Sequence, residues 1–143
     1  MITIKASGRN AKVLLPIEHG QKNTELGIKN GLYDMGVIVR RYLRKEIRRK
    51  DTKSGVKYSN LPNQSSAAGE FPANQSGDLA KSAGFSVRGT RQMEFGTDTD
   101  YAEYLEDGTS KMAARPHVKR TANEKEGEFA QVLQNSIDRA NKF

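Results

Sequence analysis

Cysteine is absent from this chain, and histidine occurs only twice. The first absence excludes a disulfide framework and any thiolate metal site. The second leaves His19 and His117 without a second histidine at ligand spacing, so no metal site is expected. Hydrophobic residues make up 35% of the sequence, and no apolar run approaches the ~20 residues that a membrane span needs. The start, Met1-Ile2-Thr3-Ile4, lacks the charged-then-apolar order of a signal peptide. Together these absences predict a soluble protein folded in the cytoplasm, with no membrane partner. Its 143 residues suffice for a single domain, 1–143, with a modest core.

Recognisable reaction chemistry is lacking too. There is no nucleophile elbow, no phosphate-cradling loop of the Walker or dinucleotide type, and no internal repeat. Glu103, Glu106 and Asp107 could mimic a carboxylate pair. Acids on a short exposed turn are, however, more often solvated or paired with a neighbouring chain. The sequence is therefore read as that of a protein with no catalytic residues, no metal and no cofactor.

What is present in excess is positive charge, +7 in all. Between Arg40 and Lys50 stand seven basic residues (Arg40, Arg41, Arg44, Lys45, Arg48, Arg49, Lys50) and one acid, Glu46, so this segment carries nearly the whole surplus. Such a stripe can meet phosphate or an acidic protein surface, or be a solvated helix end favoured by the helix dipole. A small basic protein that binds DNA without reading its sequence is thus one reading of the chain. Few aromatics accompany the cluster: Tyr42 and Tyr58 are the nearest for base stacking, and Tyr42 is better explained by helix packing.

Along the chain, Ile2 and Ile4 alternate with polar residues, and Val13-Leu14-Leu15 precedes Pro16, giving two short strands with a turn at Gly8 and Asn10. Pro16 suits an edge or a strand end. A helix is expected from a cap at Asn23 or Thr24 to about Lys50, with Ile28, Leu32, Met35, Val39 and Tyr42 on one face. Gly27, Gly31 and Gly36 weaken it intrinsically by ~1 kcal/mol each and imply close packing against another element. Its basic end is expected to project past the core or to pack on neighbouring copies. From Asp51 to Gln75 no period is found, so residues 51–75 are read as a long flexible loop with Tyr58, Leu61 and Phe71 scattered in it, ordered on assembly. Residues 84–97 read as a hairpin turning near Gly89 and Thr90, with Phe85, Val87, Met93 and Phe95 inward. A last helix is expected from Pro116, with Val118, Ala122, Phe129, Val132, Leu133, Ile137 and Ala140 as its stripe and Gly127 as an interruption. The fold class is α+β: a small antiparallel sheet packed against a long N-terminal helix and a C-terminal helix.

Between the hairpin and the last helix lies a tight helical turn. Asp100 is placed to cap it with Glu103 three residues on, Tyr101, Tyr104 and Leu105 share a face, and Gly108 can end it. Four pieces follow one another here: Gly69-Glu70-Phe71-Pro72, then Gly77-Asp78-Leu79-Ala80-Lys81-Ser82, then Tyr101 to Thr109, then Arg115-Pro116. In order and spacing over roughly fifty residues this resembles the small neck or tail-completion proteins of long-tailed bacteriophages. Those show Ser/Gly-Glu-x-Pro, Gly-x-Leu-x-x-Ser, Tyr-Ala-x-Tyr-(aliphatic)-Glu-x-Gly-Thr and Arg-Pro opening a last helix. Asp107 departs from that pattern, which usually has an aromatic residue before the glycine.

The resemblance implies a structural virion protein that completes the tail or joins it to the head. It implies a ring, six-fold symmetry favoured, coaxial with the tail and passed through by DNA. Its neighbours would be head-completion and tail-terminator or tail-tube proteins. Contacts between subunits are then expected at Tyr101, Glu103, Tyr104, Glu106 and Asp107, and at Tyr58, Leu61 and Phe71 of the loop. The basic stripe would face acidic neighbours, in preference to DNA in the channel.

Overall fold

Alternating apolar and polar residues build four five-residue strands, β1 (Thr3–Ser7), β2 (Asn10–Leu14), β3 (Gly84–Arg88) and β4 (Gln92–Gly96). They form one antiparallel sheet in the order β1-β2-β4-β3. This computed structural model describes residues 3–15, 22–89 and 91–142. Ile2, Pro16, the His19 turn and Thr90, each singled out in the sequence, lie outside the described residues. The first hairpin turns on Gly8-Arg9, with Gly8 at φ 54°, and Asn10 is already paired with Ser7. Both hairpins were legible separately; their union through β2 and β4 was not. It sets Ala11 opposite Phe95 and Val13 opposite Met93.

That register places Val13, Met93, Phe95 and Ala11 side by side, all essentially inaccessible, with Phe85 and Val87 packed at their edge. Strand residues of the opposite parity (Lys5, Lys12, Ser86) are exposed, as an antiparallel sheet covered on one face allows. The covering layer is helical. α1 (Lys22–Arg48) buries Ile28, Leu32, Met35, Val39, Leu43 and Ile47, each contributing roughly 1.5–3 kcal/mol by leaving water. It begins at Lys22, so Asn23 and Thr24 fall in its first turn instead of capping it. α4 (Val118–Asn141) packs along α1 with Ala122, Phe129 and Leu133 and runs unbroken through Gly127.

The α1 glycines mark close approaches. A Cβ on Gly27 would lie 2.8 Å from the Ile137 Cα, and one on Gly36 would lie 2.1 Å from the Phe85 ring. Two short helices, α2 (Asp78–Ser82) and α3 (Ala102–Asp107), close the far end of α1. There Ile47 packs with Leu79, Ala80, Ala102 and Leu105 in a second small core. The expected projection of this helix end is thereby corrected: its apolar face is covered within the same chain. The architecture is an α+β fold with both long helices on one face of the sheet. No described helix is long and apolar enough to cross a membrane.

Candidate functional site

The tyrosine turn is held from below. α3 starts after Tyr101, whose side chain makes no cap, and the Ala102 N–H donates to the Thr99 carbonyl; Asp100 does not cap it as the sequence predicts. Gly108 ends it, as the sequence predicts, with φ 77° and ψ 176°, an extended conformation open to glycine only. Its N–H donates to the Tyr104 carbonyl at 2.8 Å.

Glu106 turns inward from this helix and is only 6% exposed. Its carboxylate accepts the backbone N–H groups of His117 (2.8 Å), Val118 (2.9 Å) and Lys119 (2.8 Å), the unpartnered donors at the start of α4. A negative charge there also complements the helix dipole. The His117 Nδ1 lies 3.1 Å from Glu106 Oε2, and its Nε2 lies 2.7 Å from the Thr97 hydroxyl. Burial pushes the His117 pKa below the ordinary value, against the pull of Glu106, so the ring is neutral. An acceptor-only carboxylate fixes the proton on Nδ1, and Thr97 then donates to Nε2. Hydroxyl, imidazole and carboxylate thus stand in the series of a hydrolytic triad. Thr97 and His117 are essentially inaccessible and Glu106 is committed to α4, so the series works as an internal clasp.

The 51–75 segment contains no helix or strand, as expected, yet it is folded back on itself. The Gly55 N–H donates to the Ser65 carbonyl (2.8 Å) and the Ser65 N–H to that of Val56 (3.1 Å). Glu70 accepts the N–H and hydroxyl of Ser54 and the Ala67 N–H, and these bonds hold its pKa below the usual carboxylate range. Asn63 and Gln75 exchange hydrogen bonds. Arg115 ties the loop to the turn by donating to Ser66 and to the Ala113 carbonyl. The sequence predicts mobility before assembly; the structure adds a polar network of hydrogen bonds made within one chain.

Between this loop and the turn opens a cleft of about 830 Å³, lined by Tyr58, Leu61, Tyr101, Leu105, Lys111 and Arg115 among others. Tyr58, Leu61 and Tyr101, read from the sequence as interface residues, are therefore brought together. Tyr104, at 60% exposure, and Asp107 stand outside the cleft on the surface. Glu103 is exposed and lies over the Gly8 turn. Two of the expected contact residues are corrected. Glu106 is the buried cap of α4. Phe71 is 4% exposed and packs edge-on against Tyr42, with the Arg120 guanidinium over its ring.

The basic stripe divides by helical position. Arg40 lies over the Phe85 ring, and Arg44 donates to the Lys81 and Ala83 carbonyls, so both serve packing. Arg41 and Lys45 are exposed on the helix flank. Arg48, Arg49 and Lys50 ring a separate hollow at the helix end. Tyr42 is half-buried, donates to the Glu124 carboxylate and has Phe71 and Lys125 against its ring, contacts that remove it from base stacking; burial, then the Glu124 bond, raises its pKa.

Sequence reasoning missed the Thr97–His117–Glu106 clasp and the loop anchors Glu70 and Arg115. One signal was available: Glu106 stands eleven residues before His117, and a helix opening on Arg-Pro-His without a Ser, Thr, Asp or Asn cap needs its acceptor from elsewhere. Among the described residues no group of three or more His, Cys, Asp or Glu is placed to hold a metal ion. In comparisons with known proteins, no family model, no curated protein and no solved structure matches this chain.

Proposed function

We propose that the chain is a structural virion protein of a bacteriophage neck, which completes the tail or joins tail to head as one subunit of a ring through which DNA passes. The observation that carries this reading is the cleft. Tyr58 and Leu61 from the loop meet Tyr101 from the turn on one concave surface, with Tyr104 beside it. Tyrosine offers large contact area with little rotamer entropy to lose, so such a surface favours a protein partner. Its supports are rigid: the clasp fixes the turn on α4, and Arg115 fixes the loop to the turn. The order of motifs between Gly69 and Pro116, which resembles that of neck proteins, supports a neck as the setting of that partner.

A closed ring joins one patch to a different patch on the next copy. Within this reading the cleft is one patch and the exposed apolar pair on the first half of α1, Leu26 and Tyr33, is the other. Neighbouring head-completion and tail-terminator or tail-tube rings complete the assembly. The chain acts without catalysis or cofactor and resides in the virion after synthesis in the host.

The test is cryo-electron microscopy of necks from purified particles, with mass photometry of the isolated chain and of a Tyr58→Ala/Tyr101→Ala variant. A symmetric ring of this chain at the head–tail junction, with the tyrosines at a contact, is the expected result. Absence of the chain from particles overturns the reading. A ring that leaves both tyrosines in solvent overturns the role given to the cleft.

A further inference from the structure

The hollow at the end of α1 measures about 330 Å³, and its charged lining is of one sign. Arg48, Arg49 and Lys50 come from the helix end, Lys53 and Lys57 from the loop, with the amides of Asn63 and Gln64 beside them. Bases in the last turn of a helix complement its dipole, which accounts for Arg48. That argument does not account for a loop that folds two further lysines to the same place.

Lys53 is 6% exposed, an unusual setting for an ammonium group. Two of its three N–H groups go to the Glu46 carbonyl (2.8 Å) and the Thr52 hydroxyl (3.1 Å). Burial lowers its pKa, and Arg49 adds to that, against the pull of three nearby acids, Glu46, Glu70 and Asp51. Lys57 donates to the Tyr58 carbonyl at 3.0 Å and is held over the loop. Among the described residues the ion pairs at this end engage Arg49 alone, through Glu46 and Asp51. Arg48 and Lys50 stay exposed at the rim. Like charges gathered around a concave wall, one of them buried, repel one another and focus a positive potential, a local conflict that an anion relieves.

The geometry points to a binding site for a phosphate-bearing polyanion, held by Arg48, Lys50, Lys53 and Lys57 between the end of α1 and the loop. Arg48 supplies a planar fork for phosphate oxygens, and the lysines supply point charges. The ligand is either a free polyphosphate or the phosphodiester backbone of a nucleic acid. Arg40 and Arg44 do not line the hollow and take no part. The site belongs to the single chain and does not depend on ring formation.

The test is calorimetric titration of the full chain with tripolyphosphate and, separately, with a short DNA duplex, at low salt. Arg48→Gln/Lys50→Gln is compared with Arg41→Gln/Lys45→Gln, which removes the same charge from the helix flank. Loss of two charge-assisted contacts should weaken binding about ten-fold or more in the first variant. The flank variant should change it by less than about two-fold, as for solvated surface charges. Thermal melts of both variants check that the fold is intact, and backbone amide shifts of Lys53 and Lys57 on titration locate the ligand. Site-dependent binding of tripolyphosphate alone assigns a free polyphosphate, and binding of the duplex assigns the nucleic-acid backbone. Absence of binding by both probes, or equal loss in the two variants, overturns the site and leaves the ring reading to its own test in particles.

Discussion

The Glu106 carboxylate takes three backbone N–H groups of α4 and the Nδ1–H of His117, so both oxygens of the buried acid have a donor. His117 is in turn neutral, and its burial makes the folded protein a weaker proton acceptor at this site than the unfolded chain. The sign of the pH effect follows. With the folded pKa below 6.5, the unfolded state binds more protons as pH falls through that value, so the contribution to stability is full above pH 6.5 and declines on acidification. Glu70, depressed by its backbone hydrogen bonds, adds a separate loss at lower pH, below the ordinary 4.5. Thermal melts between pH 7.5 and 5.5 should therefore show a falling midpoint in the natural chain. The His117→Gln variant should be less stable by about 1–3 kcal/mol at neutral pH, from imperfect pairing of Thr97 and Glu106, and should show a flatter profile. Parallel profiles for the two proteins would remove His117 as the cause.

At the level of elements, the glycines separate two roles that composition alone merges. Gly27 faces the backbone of α4, where a Cβ would come within 2.8 Å of the Ile137 Cα, while nothing lies within 4 Å of a Cβ on Gly127. Gly27→Ala should destabilise by about 1–3 kcal/mol, since two backbones must part. Gly127→Ala should stabilise by about 0.5–1 kcal/mol, through helix propensity and reduced freedom of the unfolded chain. Denaturant midpoints of both variants check the pair, and a gain at Gly27 would mean that the helices pack less closely than described. The same contrast shows what was legible. The stripes of α1 and α4, the two hairpins and the close-packing glycines could be read because period and residue type are local signals. The β2–β4 pairing could not, since Val13 and Met93 are eighty residues apart and nothing local sets their register. Glu106 was misread for a related reason. Its neighbours Glu103 and Asp107 are exposed, and only the tertiary position of α4 turns it from a surface acid into a buried cap.

For the whole molecule, the order of the loop in the isolated chain decides how the cleft would bind the neighbour proposed for it. A loop that folds on assembly reduces affinity by the cost of ordering it, whereas one already ordered presents the cleft at no such cost. The Glu70 and Arg115 anchors favour the second case, because they join residues 54, 66 and 67 to each other and to the 105–115 segment through hydrogen bonds made within one chain. In hydrogen exchange of the isolated chain, the amides of Gly55, Ser65 and Gly69, bonded to the carbonyls of Ser65, Val56 and Ala114, should exchange well below the rate of an unstructured segment. Arg115→Ala should release the Ser65 and Gly69 amides while leaving those of α1 protected, since the tie it cuts joins loop to turn and lies outside the main core. Random-coil exchange of all three amides in the natural chain would place the ordering at assembly, and the cleft would then exist only where a neighbouring subunit completes it.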